Sequence, residues 1–390
     1  MKVWEQRELR EIAKKRTEKN RNLLTNNVLS NSAIYGIVKQ TEYFDKSIAN
    51  NIQNYYLVYE NDFVYNPRIS NNAPFGPISR NKLNELGVMS PLYLVFYFST
   101  KSLSDYLEIY FKSSKWHKFM YMSGNSGARS DRFAIKDNDF FRMKIKMPHS
   151  KDEINKIYKF NILLYKLLTL YVKKSTYISS YITYFINVFF NDGNFFEQKN
   201  AHNFEKQELK LGDILIKNNA KNKDLSVLNV ESISNKKGFV SQKEQFDNYQ
   251  VASKDLSNYY VIHPKDFAYN PSRINVGSIA YKSPNDVKGI VSPLYVSFKC
   301  KNDIILDKYL WYWFKSANFE HQRIRLSEGG VRDTLSFNQL SKMKISIPSF
   351  KIQKQTINFL EILIQYKEEI DLKLDNLKSI KNTFLQNMFL

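Results

Sequence analysis

Arg68, Asn71, Asn72, Arg80 and Lys82 fall within "RISNNAPFGPISRNK" at 68–82, and Arg273, Asn275, Tyr281 and Lys282 stand in comparable places within 272–288. These are the side chains that read duplex DNA: Arg or Lys donates to guanine, Asn pairs with adenine, and Lys holds phosphate. "GARSDR" adds Arg129 and Arg132, and "GGVRD" adds Arg332, beside glycines that let a backbone approach a phosphate. Arg323 and Arg325 of "EHQRIRL" contribute further charge, as does the N-terminal run Lys14, Lys15, Arg16, Lys19 and Arg21. Taken singly, each is more often a phosphate contact or a solvated charge than a base reader, because most protein–DNA hydrogen bonds go to the backbone. Replacing Arg80 or Arg332 with alanine is expected to weaken DNA binding.

Composition points the same way. The chain has 390 residues with 58 Lys+Arg against 38 Asp+Glu, a formal charge of +20. Such an excess repels itself and favours a polyanion, although a codon bias toward Lys, Asn, Ile and Tyr would raise it with no partner at all. Catalytic signatures are missing. An Asn/Asp-Pro-Pro-Tyr/Phe methyltransferase motif has only "NPRI" at 66 and "NPSR" at 270 as approximations, and no G-x-G-x-x-G, P-loop or H-E-x-x-H string occurs. "EQK" at 197–199 lacks the upstream Pro-Asp of a nuclease site. Cys300 is the only cysteine and the five histidines are scattered, which excludes a disulfide framework and cysteine-based zinc. No apolar signal segment opens the chain, and the uncharged run 175–191 is short and rich in Ser, Thr, Tyr and Asn, whereas a span needs about 20 apolar residues. A reducing cytoplasm is the expected compartment.

The elements that would position these side chains occur twice. "NYYLVYENDFVYNP" at 54–67 returns as "NYYVIHPKDFAYNP" at 258–271, identical at eight positions. Collinear with it, "WEQREL" (4–9) matches "FEKQEL" (204–209), "GIVKQTEYFD" (36–45) matches "GFVSQKEQFD" (238–247), "GVMSPLYLVF" (87–96) matches "GIVSPLYVSF" (289–298), and "MKIKMP" (143–148) matches "MKISIP" (343–348). Ordered matches at a nearly constant offset mean an internal duplication. The repeated segments are aromatic and β-branched, bounded by Gly, Pro and Asn, and read as strands and turns, while "RELREIAKK" and "LDKYLWYWFKSANFEHQ" have helical character. What a duplicated domain keeps constant is more often scaffold than contact surface, so the repeated tyrosines, Tyr65 and Tyr269, are expected in the core. After Pro148 and Pro348 the period becomes helical, with Ser150 and Glu153 fitting a capping box. Ile157, Leu164, Tyr171, Ile178 and Phe185 recur every seven residues, as do Leu363, Ile370, Leu377 and Phe384, interleaved with Leu360, Leu374, Ile380 and Met388. A seven-residue apolar repeat needs a partner helix over its seam, and two equal helices of about 40 residues, roughly 60 Å each, most economically cover each other. The expected fold class is α+β: two duplicated mixed α/β domains at 1–149 and 200–348, long helices at 150–191 and 349–390 paired as an antiparallel coiled coil, a linker at 192–199, and pseudo-twofold symmetry.

This twofold series of motifs, closed by "LQNMF" at 385–389, resembles the specificity subunit of type I DNA restriction–modification systems over essentially the whole chain. The resemblance implies that each domain reads one half of a split double-stranded DNA target and that the helix pair fixes the gap. It implies a subunit that performs no chemistry and binds no cofactor. It would dock two adenine N6-methyltransferase subunits, which use S-adenosylmethionine, and through them the restriction subunits, which use ATP and Mg²⁺. The competing readings are a self-contained DNA methyltransferase or nuclease with atypical motifs, and a helical scaffold that binds only proteins.

Overall fold

The computed structural model describes residues 4–44, 51–126, 131–192, 207–235, 237–242, 255–327 and 334–389. They form two compact units, one made of Met1–Val172 with Leu372–Leu390, the other of Lys173–Asp371.

Unit 1 begins with β1 (Glu5–Glu8), α1 (Leu9–Ile12) and β2 (Ala13–Lys15). The helical tendency of "RELREIAKK" is thus realised as a single turn. Its flanks are held as strands, because β1 pairs with β12 (Lys144–Met147) and β2 pairs with β9 (Leu94–Phe98). Between them come the hairpin β3 (Leu29–Ser32) and β4 (Gly36–Lys39), α2 (Gln40–Phe44), β5 (Tyr56–Val58), β6 (Phe63–Tyr65), β7 (Ile78–Arg80) and β8 (Gly87–Met89). A four-stranded antiparallel sheet runs β2-β9-β6-β7. α3 (Lys101–Lys112), α4 (His117–Ser123), the short pair β10 (Asn125–Ser126) and β11 (Phe133–Ala134), and α5 (Asp137–Phe140) complete the unit before α6 (Lys151–Asn187). Alternation places Phe63 and Tyr65 on one face, where they meet Phe96, Phe98, Phe111 and Phe140 in stacked, tilted and edge-on contacts 5.0–6.1 Å between ring centres. Each such ring withdraws enough apolar surface to contribute about 1.5–3 kcal/mol.

Unit 2 repeats this plan, except that among its described residues no strands correspond to β10 and β11: β13 (Gln207–Lys210), α7 (Leu211–Ile214), β14 (Leu215–Lys217), β15 (Glu231–Ser234), β16 (Gly238–Ser241), β17 (Tyr260–Ile262), β18 (Phe267–Tyr269), β19 (Ile279–Tyr281), β20 (Gly289–Val291), β21 (Val296–Cys300), α8 (Asp307–Trp313), α9 (Ala317–Ser327), α10 (Phe337–Ser341) and β22 (Lys344–Ile347). Its four-stranded sheet is β14-β21-β18-β19, the order found in unit 1. The helical reading of 306–322 is realised as α8 and α9.

The duplication reaches single backbone angles. Non-glycine residues with positive φ come in pairs, Leu23 (50°) with Leu225 (55°) and Asn61 (69°) with Lys265 (73°). Gly36 and Gly238 share 71°, and Gly76 and Gly277 share 84°. At Gly76 glycine is obligatory twice over: φ is left-handed, and a Cβ would lie 2.0 Å from the Asn66 carbonyl oxygen. The repeated string has the same logic. Asp62 and Asp266 each accept the backbone N–H three residues earlier, from Tyr59 at 3.0 Å and His263 at 2.8 Å, and so close the tight turn before β6 or β18. Tyr65 and Tyr269 are buried and donate their hydroxyls to the carbonyls of Phe75 and Leu335 at 3.0 Å. As expected from the sequence, these tyrosines are foundation.

The long helices start at α6 and at α11 (Phe350–Asn387), within a residue of the expected positions. Ser150 caps α6 through a bond to the Asp152 N–H at 3.2 Å, but Glu153 does not return the bond. It accepts the Trp4 indole at 2.9 Å and ties the helix to its unit. Gln353 does the corresponding work for α11, accepting from Leu306 N–H and donating to the Pro348 carbonyl. Within each unit the two helices pack antiparallel. In unit 1, Phe160 meets Phe384 and Tyr165 lies under Lys381; in unit 2, Ser175 donates to Asp371 and Phe185 meets Phe359. All nine seam residues, Ile157, Leu164, Tyr171, Ile178, Phe185, Leu363, Ile370, Leu377 and Phe384, are buried or half-buried. Ile380 departs from the expectation: it is 49% exposed, off the seam. No described helix is long and apolar enough to cross a membrane.

Candidate nucleic-acid interface

In unit 1 the chain leaves β6 through Asn66 and Pro67 into a loop that Asn66 itself organises. Its amide donates to the Asn31 carbonyl at 2.9 Å and its oxygen accepts the Arg68 N–H at 3.0 Å. Ser70 and Ala73 exchange two backbone bonds of 3.0 Å, which lifts Asn71 and Asn72 to an exposed tip. A second segment runs antiparallel beside this loop. Phe133 N–H donates to Pro67, Ile69 N–H donates to Asp131, and Arg68 opposes Arg132. Arg68 is exposed and only loosely held, 3.5 Å from Asp131. Tyr93 sits among them: burial raises its phenol, while the Arg68 and Arg132 guanidiniums oppose the rise. An open cleft of about 670 Å³ lies alongside, lined by Pro67, Met122, Asn125, Arg132 and Lys136.

Unit 2 places a cleft of about 460 Å³ at the corresponding loop after β18, lined by Asn270, Ser272, Arg273, Asn275 and Tyr295. Asn270 accepts the Ser272 N–H at 3.0 Å, the bond Asn66 makes to Arg68. Arg273 and Asn275 are exposed on a helical turn that Gly277 ends. Tyr93 and Tyr295 both come from the repeated "SPLY" turn, which is the signal by which sequence reasoning could have found them.

Arg68, Asn71, Asn72, Arg273, Asn275 and Arg325 therefore remain as exposed donors and Arg132 as a half-buried one, with Lys82 exposed but bonded to Glu108 at 2.6 Å. Four other expected readers are spent inside the fold. Arg80 donates to Asn61 and Asp105 and is 3% exposed, because its strand register points it at α3. Lys282, 1% exposed, is clamped on both oxygens of Glu231 at 2.6 and 2.8 Å. Arg323 is buried with its fork on Glu320 at 2.7 and 2.8 Å. Tyr281 is half-buried and gives its hydroxyl to Asp307 at 2.6 Å. Desolvating a guanidinium or ammonium is costly unless a carboxylate compensates, so an ion pair held in this way is structural and does not reach a base edge. Arg129 and Arg332 lie outside the described residues. In the N-terminal run, Arg16 is committed to Asp62 through a two-bond fork and stacks over Tyr59 and Tyr97, and Lys15 bonds Asp137.

Among the described residues no group of three or more His, Cys, Asp or Glu could hold a metal ion. Burial pushes the Cys300 thiol up to about 12, helped by the Asp307 charge. A thiolate is the nucleophile, so a disulfide reagent should titrate no thiol in the native protein and one after denaturation.

Residues 205–379 match the family model for the type I restriction modification DNA specificity domain. No curated protein matches the chain. Three solved structures share the fold over 100% of this chain. The HsdS subunit from Thermoanaerobacter tengcongensis is 12% identical with a TM-score of 0.51 over 97% of its own length. The type I restriction-modification S subunit from M. genitalium is 13% identical with a TM-score of 0.58 over 97%. A chain from a structure of type I R-M complex assembly and conformational transition is 10% identical with a TM-score of 0.58 over 98%.

Proposed function

We propose that this chain is the sequence-specificity subunit of a type I restriction–modification complex, each unit reading one half of a bipartite duplex target. The observation that carries this reading is the specificity-domain match over 205–379 on a unit whose four-stranded sheet order the first unit shares. Each unit presents Arg and Asn donors on the loop after the same β-strand, with a tyrosine behind them. In this reading the chain is a non-catalytic recognition subunit of the cytoplasm that binds no cofactor of its own. Two adenine N6-methyltransferase subunits supply S-adenosylmethionine chemistry, and the restriction subunits they recruit use ATP and Mg²⁺. Their docking surface is the outward side of the long helices, where Leu163 and Leu170 in unit 1 and Tyr177 and Tyr184 in unit 2 are exposed at seven-residue spacing. The paired helices act as the spacer that fixes the gap.

Methylated adenines mapped in a cell carrying the complete system should fall in two short motifs separated by a fixed unspecified gap. A single continuous motif, or none, overturns the reading. The purified chain incubated with DNA and S-adenosylmethionine should transfer no methyl group, whereas a self-contained methyltransferase would. Its affinity for duplex should fall steeply with salt as neutralised phosphates release counterions.

A further inference from the structure

We propose that the tip of the first β-hairpin of each unit is a base-reading element, formed by Ala33, Ile34 and Tyr35 in unit 1 and by Asn235 and Lys237 in unit 2. This inference rests on the DNA-specificity reading above and adds readers that the loop after the repeated string does not contain.

The two hairpins have stems of one register. β3 pairs with β4 from Leu29↔Lys39 to Ser32↔Gly36, and β15 pairs with β16 from Glu231↔Ser241 to Ser234↔Gly238. Each tip is closed by the same device: the Ser32 hydroxyl accepts the Ile34 and Tyr35 N–H groups at 3.3 Å, and the Ser234 hydroxyl accepts the Lys237 N–H at 3.4 Å. Gly36 and Gly238 follow with the same φ of 71°. The stems are anchored through buried Leu29, Ile37 and Ile233. A paired stem with a buried anchor is the support a recognition side chain needs, because less conformational freedom is then lost on binding.

On those matched stems the side chains are opposite in character. Ala33, Ile34 and Tyr35 are all exposed, the last two by 68% and 70%. Asn235 and Lys237 are exposed as well. Ile34 and Asn235 bury no core, and the Ser32 and Ser234 hydroxyls hold the turn N–H groups in their place. Position supplies the rest: Asn235 lines the cleft that holds Arg273, Asn275 and Tyr295. The chemistry differs as two half-targets would demand. Ile34 and Tyr35 offer apolar contact to a thymine methyl, while Asn235 can take an adenine edge and Lys237 a guanine edge or a phosphate.

The test uses the assembled complex in cells and maps methylated adenines for two double variants, Asn235→Ala with Lys237→Ala, and Ile34→Ala with Tyr35→Ala. Each should relax at least one base position of its own half-target by roughly tenfold or more and leave the other half unchanged. A wild-type complex without a bipartite target would remove the specificity reading itself. A bipartite wild-type target with both halves unchanged in both variants, each unfolding at the wild-type midpoint, overturns the hairpin proposal and leaves the specificity reading standing. If a variant methylates nothing, its binding to duplexes with each half-target scrambled in turn decides: undiminished discrimination of its own half overturns the proposal, and loss confined to that half supports it.

Discussion

Replacing Arg80 with alanine should destabilise unit 1 by about 3–5 kcal/mol, the usual cost of removing one partner from a buried ion pair. The Arg80 side chain is 3% exposed and faces Asp105 at 2.6 Å and Glu108 at 3.4 Å, both carboxylates 9% exposed. Glu108 keeps Lys82 and Lys112 in the variant, so the group left uncompensated is Asp105. Burial pushes the Glu108 carboxyl up, but Lys112 and Lys82 outweigh it and hold the group below its ordinary value. A base-reading arginine behaves differently. Its loss removes about 1–3 kcal/mol of discrimination at one base pair and leaves folding intact. Urea denaturation together with binding to the cognate duplex separates the two roles. An Arg80→Ala protein with the wild-type midpoint and relaxed selectivity would show that the residue reads DNA after all. The second unit shows what position 80 is for. β7 sets Arg80 opposite Phe63, and β19 sets Tyr281 opposite Phe267 in the same register. Tyr281 reaches Asp307 at the start of α8, so an arginine and a phenol perform one task, tying the sheet edge to the following helix.

Lys282→Ala should be as damaging, also about 3–5 kcal/mol, because it strands Glu231 in the interior of unit 2. Restoring stability should not require restoring the charge. Lys282 and Asn81 hold equivalent places, since each exchanges a backbone bond with Asp266 or Asp62. Glu231 and Leu29 are equivalent too: a Cβ on Gly289 would strike the first at 2.6 Å, and a Cβ on Gly87 would strike the second at 2.4 Å. Unit 1 therefore folds around a leucine and an asparagine where unit 2 has an ion pair. The double variant Glu231→Leu with Lys282→Asn should recover most of what Lys282→Ala loses, since well-packed apolar replacements of buried pairs are often neutral or stabilising. The double-mutant cycle closed by Glu231→Leu alone and Lys282→Asn alone, read from chemical denaturation, measures the coupling directly. A double variant no more stable than the single one would show that the pair does not account for the loss.

The arginines show where sequence reading stopped. Within 68–82, Arg68 and Arg80 are indistinguishable by type and neighbourhood, yet one is a surface donor and the other is buried. What separates them is β6–β7 pairing, which turns Arg80 toward α3, and the acidic face of α3, some 25 residues further along the chain. The hairpin tips were legible in principle: "GIVKQ" and "GFVSQ" align, and the residues immediately before them differ completely. That they stand on stems of one register, with Asn235 in the cleft, emerges only from the structure.

By itself the sequence determined the duplication, the scaffold role of the repeated tyrosines, and the two long helices with their seam. Those properties are written in local order: a strand alternates every two residues, a seam recurs every seven, and a turn needs its Gly, Asn or Pro at a fixed offset. The tertiary structure alone decided which cations are free for a polyanion and which are neutralised inside. Desolvation and Coulomb attraction act through space, between Arg80 and Asp105 or Lys282 and Glu231, and only strand pairing and helix docking bring those charges within bonding distance.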